Sequence, residues 1–390
     1  MTAQLWQRAA SLFLLLFLAT CAGPAPPRLT LEPARFSDLP GWRQDHVAHA
    51  LTAFSRSCDA FAKRDAGAAI GPAALHLIAG DWWTPCAAAA RLGNDDDAAR
   101  AFFEQYFTPY LAGNNGAAEG LFTGYYEPLL HGALERGGPY QTPILQRPPD
   151  LVSVDLGRFR PAWHGEHIAG RVVNGALIPY PARAAIERGA LDDMNLALLW
   201  VDNPIDAFFM QIQGSGRVEL PDGSMIGLGY DGQNGQTYVP IGRVLIARGA
   251  LTPETTSLQS IRAWIEAHPN EGAALMDENP SYVFFRRIEG DGPVGGEGVV
   301  LTPRRSLAVD PNFIPLGAPL YLAASGGAIN LERLMVAQDV GGAISGPVRG
   351  DVYWGFGPDA EAKAGAMRAR GNYYLLLPKT VTPQIEITSR

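Results

Sequence analysis

Two aspartates, Asp339 and Asp351, stand in the run AQDVGGAISGPVRGDVYWGFG at positions 337–357, with five glycines from Gly341 to Gly355 around and between them. The run contains no histidine, cysteine or lysine, and Arg349 is its one cation. A third aspartate, Asp310, closes the apolar run Ser306 to Val309 and precedes Pro311. All three sit where apolar runs begin or end, so they are predicted at strand ends, where loops converge on a rigid frame.

The chemistry narrows by elimination. A nucleophilic triad needs a histidine oriented beside a serine or cysteine. The seven histidines are His46, His49, His76, His131, His164, His167 and His268, and none falls in the C-terminal region. There is no H-E-x-x-H, no G-x-x-x-x-G-K-[ST] and no G-x-S-x-G. His164 and His167 have the spacing of a metal pair, but in a Gly/Pro-rich loop; neither a metal nor a cofactor is expected. What remains is a carboxyl group acting as an acid, and glycosidic bond cleavage is the common chemistry that needs carboxyls alone. Such an acid must hold its proton near neutral pH, through burial or a neighbouring carboxylate. Tyr353 and Trp354 directly follow Asp351, and the glycines would let a bulky sugar approach the backbone. Aspartate beside glycine also caps turns. Residue chemistry leaves both roles open for each aspartate.

The whole chain agrees with an exported enzyme. It has 390 residues, 47% hydrophobic and 18% charged, with 44 glycines and 31 prolines, which suggests many turns and short strands. The net charge is −8 and no basic tract occurs, which argues against nucleic acid as a partner. After Arg8 comes AASLFLLLFLA, an eleven-residue apolar run. A bilayer span needs about 20 residues, so this is read as the apolar region of a secretory signal. Leu18-Ala19-Thr20-Cys21 then looks like a bacterial lipoprotein signal, with Cys21 lipidated and Thr20 departing from the usual small residue. Positions 22–35, rich in proline, read as a tether. Cys58 and Cys86 remain, and in an oxidising compartment they are expected to pair.

Spacing predicts a helix over 42–63, with Val47, Leu51, Phe54, Cys58 and Phe61 on one face, and a second over about 96–111. From Leu121 onward the chain reads as short strands, AFFMQIQGSGRVEL among them, interrupted by helices at 254–267 and 358–369. The expected class is mainly β.

Several motifs, in order, resemble the membrane-bound lytic murein transglycosylase A family and its three-aspartate domain. They are Gly124-Tyr125-Tyr126-Glu127-Pro128, Gln211-Ile212-Gln213-Gly214-Ser215-Gly216-Arg217, Asn279-Pro280-Ser281-Tyr282-Val283-Phe284-Phe285, Ala308-Val309-Asp310-Pro311, Gln338-Asp339-Val340-Gly341-Gly342 and Gly350-Asp351-Val352-Tyr353. The resemblance implies a double-psi β-barrel with N-terminal helices, built from 36–124 and 288–390, and a smaller β-domain inserted at 125–287, with the substrate groove between them. It implies cleavage of peptidoglycan glycan strands between MurNAc and GlcNAc, leaving 1,6-anhydroMurNAc ends. Asp351 would be the single acid, then base, with Asp339 its close neighbour and Asp310 in possible support. Tyr125, Tyr126, Gln213, Gly214, Ser215, Tyr230 and Tyr353 would bind sugar. The protein would be held by a lipid anchor at the periplasmic face of the outer membrane of a Gram-negative bacterium, near proteins of cell-wall synthesis or remodelling. Arg349, two residues before the acid, would lower its pKa if it approached, and is expected to point away. Three rival readings stand. One is a muramidase-type hydrolase using a second carboxylate such as Glu127; another is a non-catalytic glycan-binding lipoprotein; the third is a binding module for another polysaccharide, since a barrel fold alone does not fix function.

Overall fold

The computed structural model describes residues 26–383 apart from 164, 291 and 328. The export signal with Cys21, positions 22–25 of the tether, and His164 lie outside the described residues.

The chain opens with β1 (Leu29–Pro33), three helices (Ala48–Ala62, Gly80–Ala89 and Asp96–Tyr106), β2 (Phe107–Asn114) and β3 (Gly120–Glu127). Next come β4 (Leu129–Ala133), β5 (Thr142–Leu145), β6 (Val152–Asp155), β7 (His167–Val173), β8 (Ala176–Pro179), β9 (Ala197–Val201), β10 (Ser215–Glu219), β11 (Met225–Gln233) and β12 (Val283–Ile288). The C-terminal part adds β13 (Ser306–Ala308), β14 (Pro319–Gly326), β15 (Ile329–Asp339), β16 (Arg349–Phe356) and β17 (Arg368–Pro378).

Strands from both ends of the chain close a barrel. Its order is β3-β16-β13-β15-β14-β17, and β17 returns to pair with β3. Two of the contacts, β16 with β3 and β13 with β15, are parallel. β1 and β2 extend the sheet from β17. The middle of the chain forms a separate six-stranded sheet, β12-β11-β10-β4-β9-β5, and a three-stranded one, β6-β7-β8. β3 therefore ends in the barrel just where β4 begins the other sheet. The molecule is mainly β, with few helices.

The N-terminal helices brace the barrel because their apolar faces have nowhere else to go. Phe54 meets Phe102, Phe103 and Phe107 at ring distances of 6.0, 5.9 and 5.8 Å, a herringbone of edge and tilted contacts. A buried ion pair adds direction: Arg305 reaches both oxygens of Asp45, at 2.8 and 3.0 Å, while the Leu334 amide donates to Asp45 Oδ2. Cys58 and Cys86 are bonded, joining the first two helices, with Cα atoms 5.4 Å apart.

Some elements differ from the reading of the sequence. The helix expected over 96–111 stops at Tyr106, and residues from Phe107 form β2. Pro109 cannot donate within a helix, and β2 finds ladders on both sides in β1 and β17. The run AFFMQIQ, read as a strand, is the helix Pro204–Gln213. Asn203 caps its start, Pro204 occupies its first turn and Gly214 ends it in the left-handed region at φ 81°. Ala207, Phe208, Phe209, Met210 and Gln211 are all buried, so the segment lacks the polar face that reveals helical period. The helix expected from 254 begins at Leu258 behind a Ser257–Ser260 capping box. Helices Ile241–Ala247 and Pro269–Asp277 were not expected.

Candidate active site

The aspartates come together through strand register. Ala308 of β13 pairs with Asp339 on one side and with Asp351 on the other. Asp351 pairs in turn with Thr123 of β3. Asp339, Ala308, Asp351 and Thr123 thus form one row across four strands, and residues directly opposite in neighbouring strands share a face. Two strand spacings put the aspartate Cα atoms about 9–10 Å apart. The small side chain of Ala308 between them leaves room for the carboxyl groups. Tyr125 and Tyr353, two residues further along, pair on the same face, with rings 5.3 Å apart.

A bulge makes this row possible. Between β13 and β15 the register passes from Leu307–Ala337 to Ala308–Asp339, skipping Gln338. Gln338 is wholly buried, and its side chain turns toward the first helix, donating to the Ala53 carbonyl and to Ser57 Oγ. Asp339 is thereby left on the site's side of the strand.

The two carboxyl groups have different surroundings. Asp339 accepts from the Tyr125 hydroxyl at 2.6 Å and from the Gly296 and Val340 amides at 2.8 and 2.9 Å. Burial pushes its pKa up, and these three donors pull against that. Asp351 accepts from Thr123 Oγ1 at 2.7 Å, its one donor among the described residues. Burial pushes the Asp351 carboxyl up to about 6, against the pull of Thr123 and Arg349, and the charge of Asp339 adds to the rise. Beside them Val340, Gly341, Gly342 and Ala343 are exposed, so the site opens to solvent along a nearly bare backbone.

Arg349 does not point away from the site. It makes no ion pair with Asp351 among the described residues, but it donates to Thr123 Oγ1 at 2.9 Å and to the Leu121 carbonyl at 3.2 Å. Thr123 therefore separates the guanidinium from the Asp351 carboxyl by one hydroxyl. Accepting from the arginine, that hydroxyl donates its own proton to Asp351.

The remaining residues lie at different depths. Tyr125 and Tyr353 lie at the site, but both are buried, and their hydroxyls are engaged with Asp339 and Glu127. Tyr126 and Ser215 are buried too, so neither offers a surface to a sugar; Tyr126 packs in the barrel core. Gln213 is half-buried, its side-chain oxygen accepting from the Tyr126 amide, and Gly214 serves the helix end. Tyr230 stands on β11, 50% exposed. Asp310 does not join the row: its carboxylate accepts from the Asn312 and Gly346 amides, tying the loop after β15 to the turn after β13.

Glu127 is wholly buried. Its Oε2 meets Arg217 at 3.3 Å and accepts from the Tyr353 hydroxyl at 3.1 Å. Arg217 lies over the ring of Phe356. This ties β10 to the strand that carries Asp351. Sequence reasoning missed Thr123, the Gly296 amide and the Arg217–Glu127 pair. Thr123 was readable, being two residues before Tyr125 on a strand; the other two depend on tertiary packing.

Residues 121–286 match the MltA specific insert domain, and residues 305–377 match the 3D domain. A protein named membrane-bound lytic murein transglycosylase A from Escherichia coli K12 is 36% identical over 295 residues, 73% of each chain. The crystal structure of a membrane-bound lytic murein transglycosylase from Agrobacterium tumefaciens superimposes with a TM-score of 0.79 at 32% identity, covering 90% of this chain and 98% of that one. The crystal structure of E. coli MltA with bound chitohexaose gives a TM-score of 0.59 at 32% identity, covering 77% and 83%.

Proposed function

The chain belongs to the membrane-bound lytic murein transglycosylase A family, and from that premise we propose that it cuts peptidoglycan glycan strands between MurNAc and GlcNAc with Asp351 as its single acid and base. It is a peptidoglycan-cleaving enzyme of the lytic transglycosylase class. The observation that carries the mechanism is the contrast in the row: among the described residues Asp351 keeps an oxygen unclaimed by protein donors, while Asp339 has three donors.

The steps follow from that. With a pKa of about 6, Asp351 is protonated in roughly one molecule in ten at pH 7, a workable fraction for a general acid. It protonates the glycosidic oxygen, and the bond from C1 of MurNAc to that oxygen breaks. Positive charge gathers at C1 and the ring oxygen. Asp339, whose three donors favour its charged form, stabilises it electrostatically. The C6 hydroxyl of the same MurNAc attacks C1, and its proton passes to the Asp351 carboxylate. The acid is regenerated, no water is consumed, and the product ends in 1,6-anhydroMurNAc. An attacking group tethered to the substrate has a large effective concentration, which is why a second catalytic carboxylate is unnecessary.

Glu127 does not suit the hydrolase reading. It is wholly buried and paired with Arg217 and Tyr353, so it is not placed to activate a water. A lipid on Cys21 would hold the enzyme at the periplasmic face of the outer membrane, against its substrate. No helix among the described residues is long and apolar enough to cross a membrane.

The test is mass analysis of fragments released from purified peptidoglycan by the full-length protein in detergent and by Asp351→Asn. Anhydro ends that vanish with the variant are expected. Reducing ends would replace the mechanism with hydrolysis, and anhydro ends that persist would move the acid elsewhere.

A further inference from the structure

One of the three donors to Asp339 comes from a segment remote from both the strand that carries Asp339 and the strand that carries Tyr125. It is the Gly296 amide, in the loop between β12 and β13. Two features bring that backbone so close. The first is the absence of side chains. A β-carbon on Gly295 would lie 2.4 Å from the Gln338 carbonyl oxygen and 2.6 Å from Leu301 Cδ2. One on Gly296 would lie 2.8 Å from Val340 Cγ2.

The second feature is Glu297. Its amide donates to the Gln338 carbonyl at 3.1 Å. Its side chain runs to the helix Ala48–Ala62, where Ser57 Oγ donates to Glu297 Oε2 at 2.7 Å. The same Ser57 oxygen accepts from Gln338 Nε2 at 2.9 Å. Gln338 precedes Asp339 and Glu297 follows Gly296, so one buried serine fixes both sides of the Gly296–Asp339 hydrogen bond.

Space-filling does not account for a glutamate here. Its Oε1 is buried and finds no hydrogen-bond partner among the described residues. Burying such a group costs free energy that an apolar residue would not. The charged or titratable group facing it is Arg64, just beyond the helix, and burial pushes its carboxyl up to about 7. A costly residue in this place is accounted for by what it holds.

We infer that Glu297 is a positioning residue for catalysis: by locking onto Ser57 it registers the Gly296 amide on Asp339, and so favours the charged form of Asp339 beside Asp351. The inference rests on the roles proposed above for those two aspartates. The groups facing Asp339 are Tyr125 from β3, Tyr353 and Asp351 from β16, and the Gly296 and Val340 amides. Removing one amide from a carboxylate raises its pKa. The sign of the effect on rate follows. Activity is highest with Asp339 ionised and Asp351 protonated, which gives a bell-shaped pH profile whose acid limb belongs to Asp339. Loosening the Gly296 loop moves that limb upward and narrows the bell.

The experiment compares pH profiles of kcat on purified glycan strands for the full-length protein, Glu297→Ala, Glu297→Gln and Ser57→Ala. Glu297→Ala is expected to lower kcat about tenfold, to leave KM unchanged and to raise the acid limb. Glu297→Gln keeps an oxygen to accept from Ser57 and should retain the parental limb. Ser57→Ala, which leaves the loop sequence intact, should shift the limb as Glu297→Ala does, and it carries the test if Glu297→Ala fails to fold. A uniform loss of rate with an unmoved limb would reduce Glu297 to packing and overturn the inference. So would a limb that moves equally in Glu297→Gln. Asp351→Asn, measured in parallel, separates the two levels: if it stays active, the acid assignment fails first.

Discussion

Asp45 and Asp351 are both carboxylates drawn into the barrel's surroundings, yet they are equipped for opposite purposes. Asp45 is gripped by two guanidinium nitrogens of Arg305 and by the Leu334 amide. Asp351 has one neutral donor, Thr123, and the nearest guanidinium, of Arg349, is kept one hydroxyl away. A buried carboxylate whose lone pairs are all claimed is a strut. One left with an unclaimed oxygen and an upward-shifted pKa can exchange a proton. Asp339 lies between these cases, in the site but saturated, which suits a charge that stays put.

Removing each carboxylate in turn separates the two roles. Asp351→Asn should lower turnover of peptidoglycan about a thousandfold or more, measured as soluble fragment release. The fold should survive. Because the folded pKa of Asp351 lies above its ordinary value, the carboxyl is tolerated below about pH 4 and costs stability as pH rises through about 6. The variant should therefore gain stability relative to the parent toward pH 8, by denaturant titration at both pH values. Asp45→Ala should do the reverse. It leaves Arg305 buried without its partner, which typically costs about 3–5 kcal/mol, while protein that remains folded keeps near-parental turnover.

Smaller effects sharpen the same division. Replacing both Cys58 and Cys86 with serine opens a loop with a sequence separation of 28. The chain-entropy estimate for such a loop is about 3–4 kcal/mol, which should appear as a lower denaturation midpoint with the pH profile of activity unmoved. Thr123→Val should change activity least, within about a factor of ten. It removes a hydrogen bond that favours the charged form of Asp351, so the alkaline limb of the pH profile should move upward.

The sequence made some of this legible and hid the rest for physical reasons. Asp339 and Asp351 announced themselves because carboxylates among glycines at strand ends have few structural neighbours to explain them. Their adjacency did not, since it depends on the bulge that skips Gln338 and on β13 lying between their strands. The helix Pro204–Gln213 was hidden because burial on all sides erases amphipathic period, though Asn203, Pro204 and Gly214 marked its ends. Tyr126 and Ser215 sit in motifs that suggested sugar contact and are covered in the fold. Type and spacing give no measure of depth. Arg349 shows the same limit: its distance from Asp351 in sequence said nothing about the threonine placed between them.

The measurement that goes most directly to the claim of one poised acid and one fixed charge is the pH dependence of kcat/KM, which reports groups in the free enzyme, for the parent and Asp339→Asn. The account predicts an alkaline limb near pH 6 for the parent. In Asp339→Asn the limb should lie lower, because the negative neighbour that raises the Asp351 pKa is gone. A limb at the same pH in both proteins would mean that Asp339 does not tune the acid. A parental rate flat across that range would mean that Asp351 is not the acid at all.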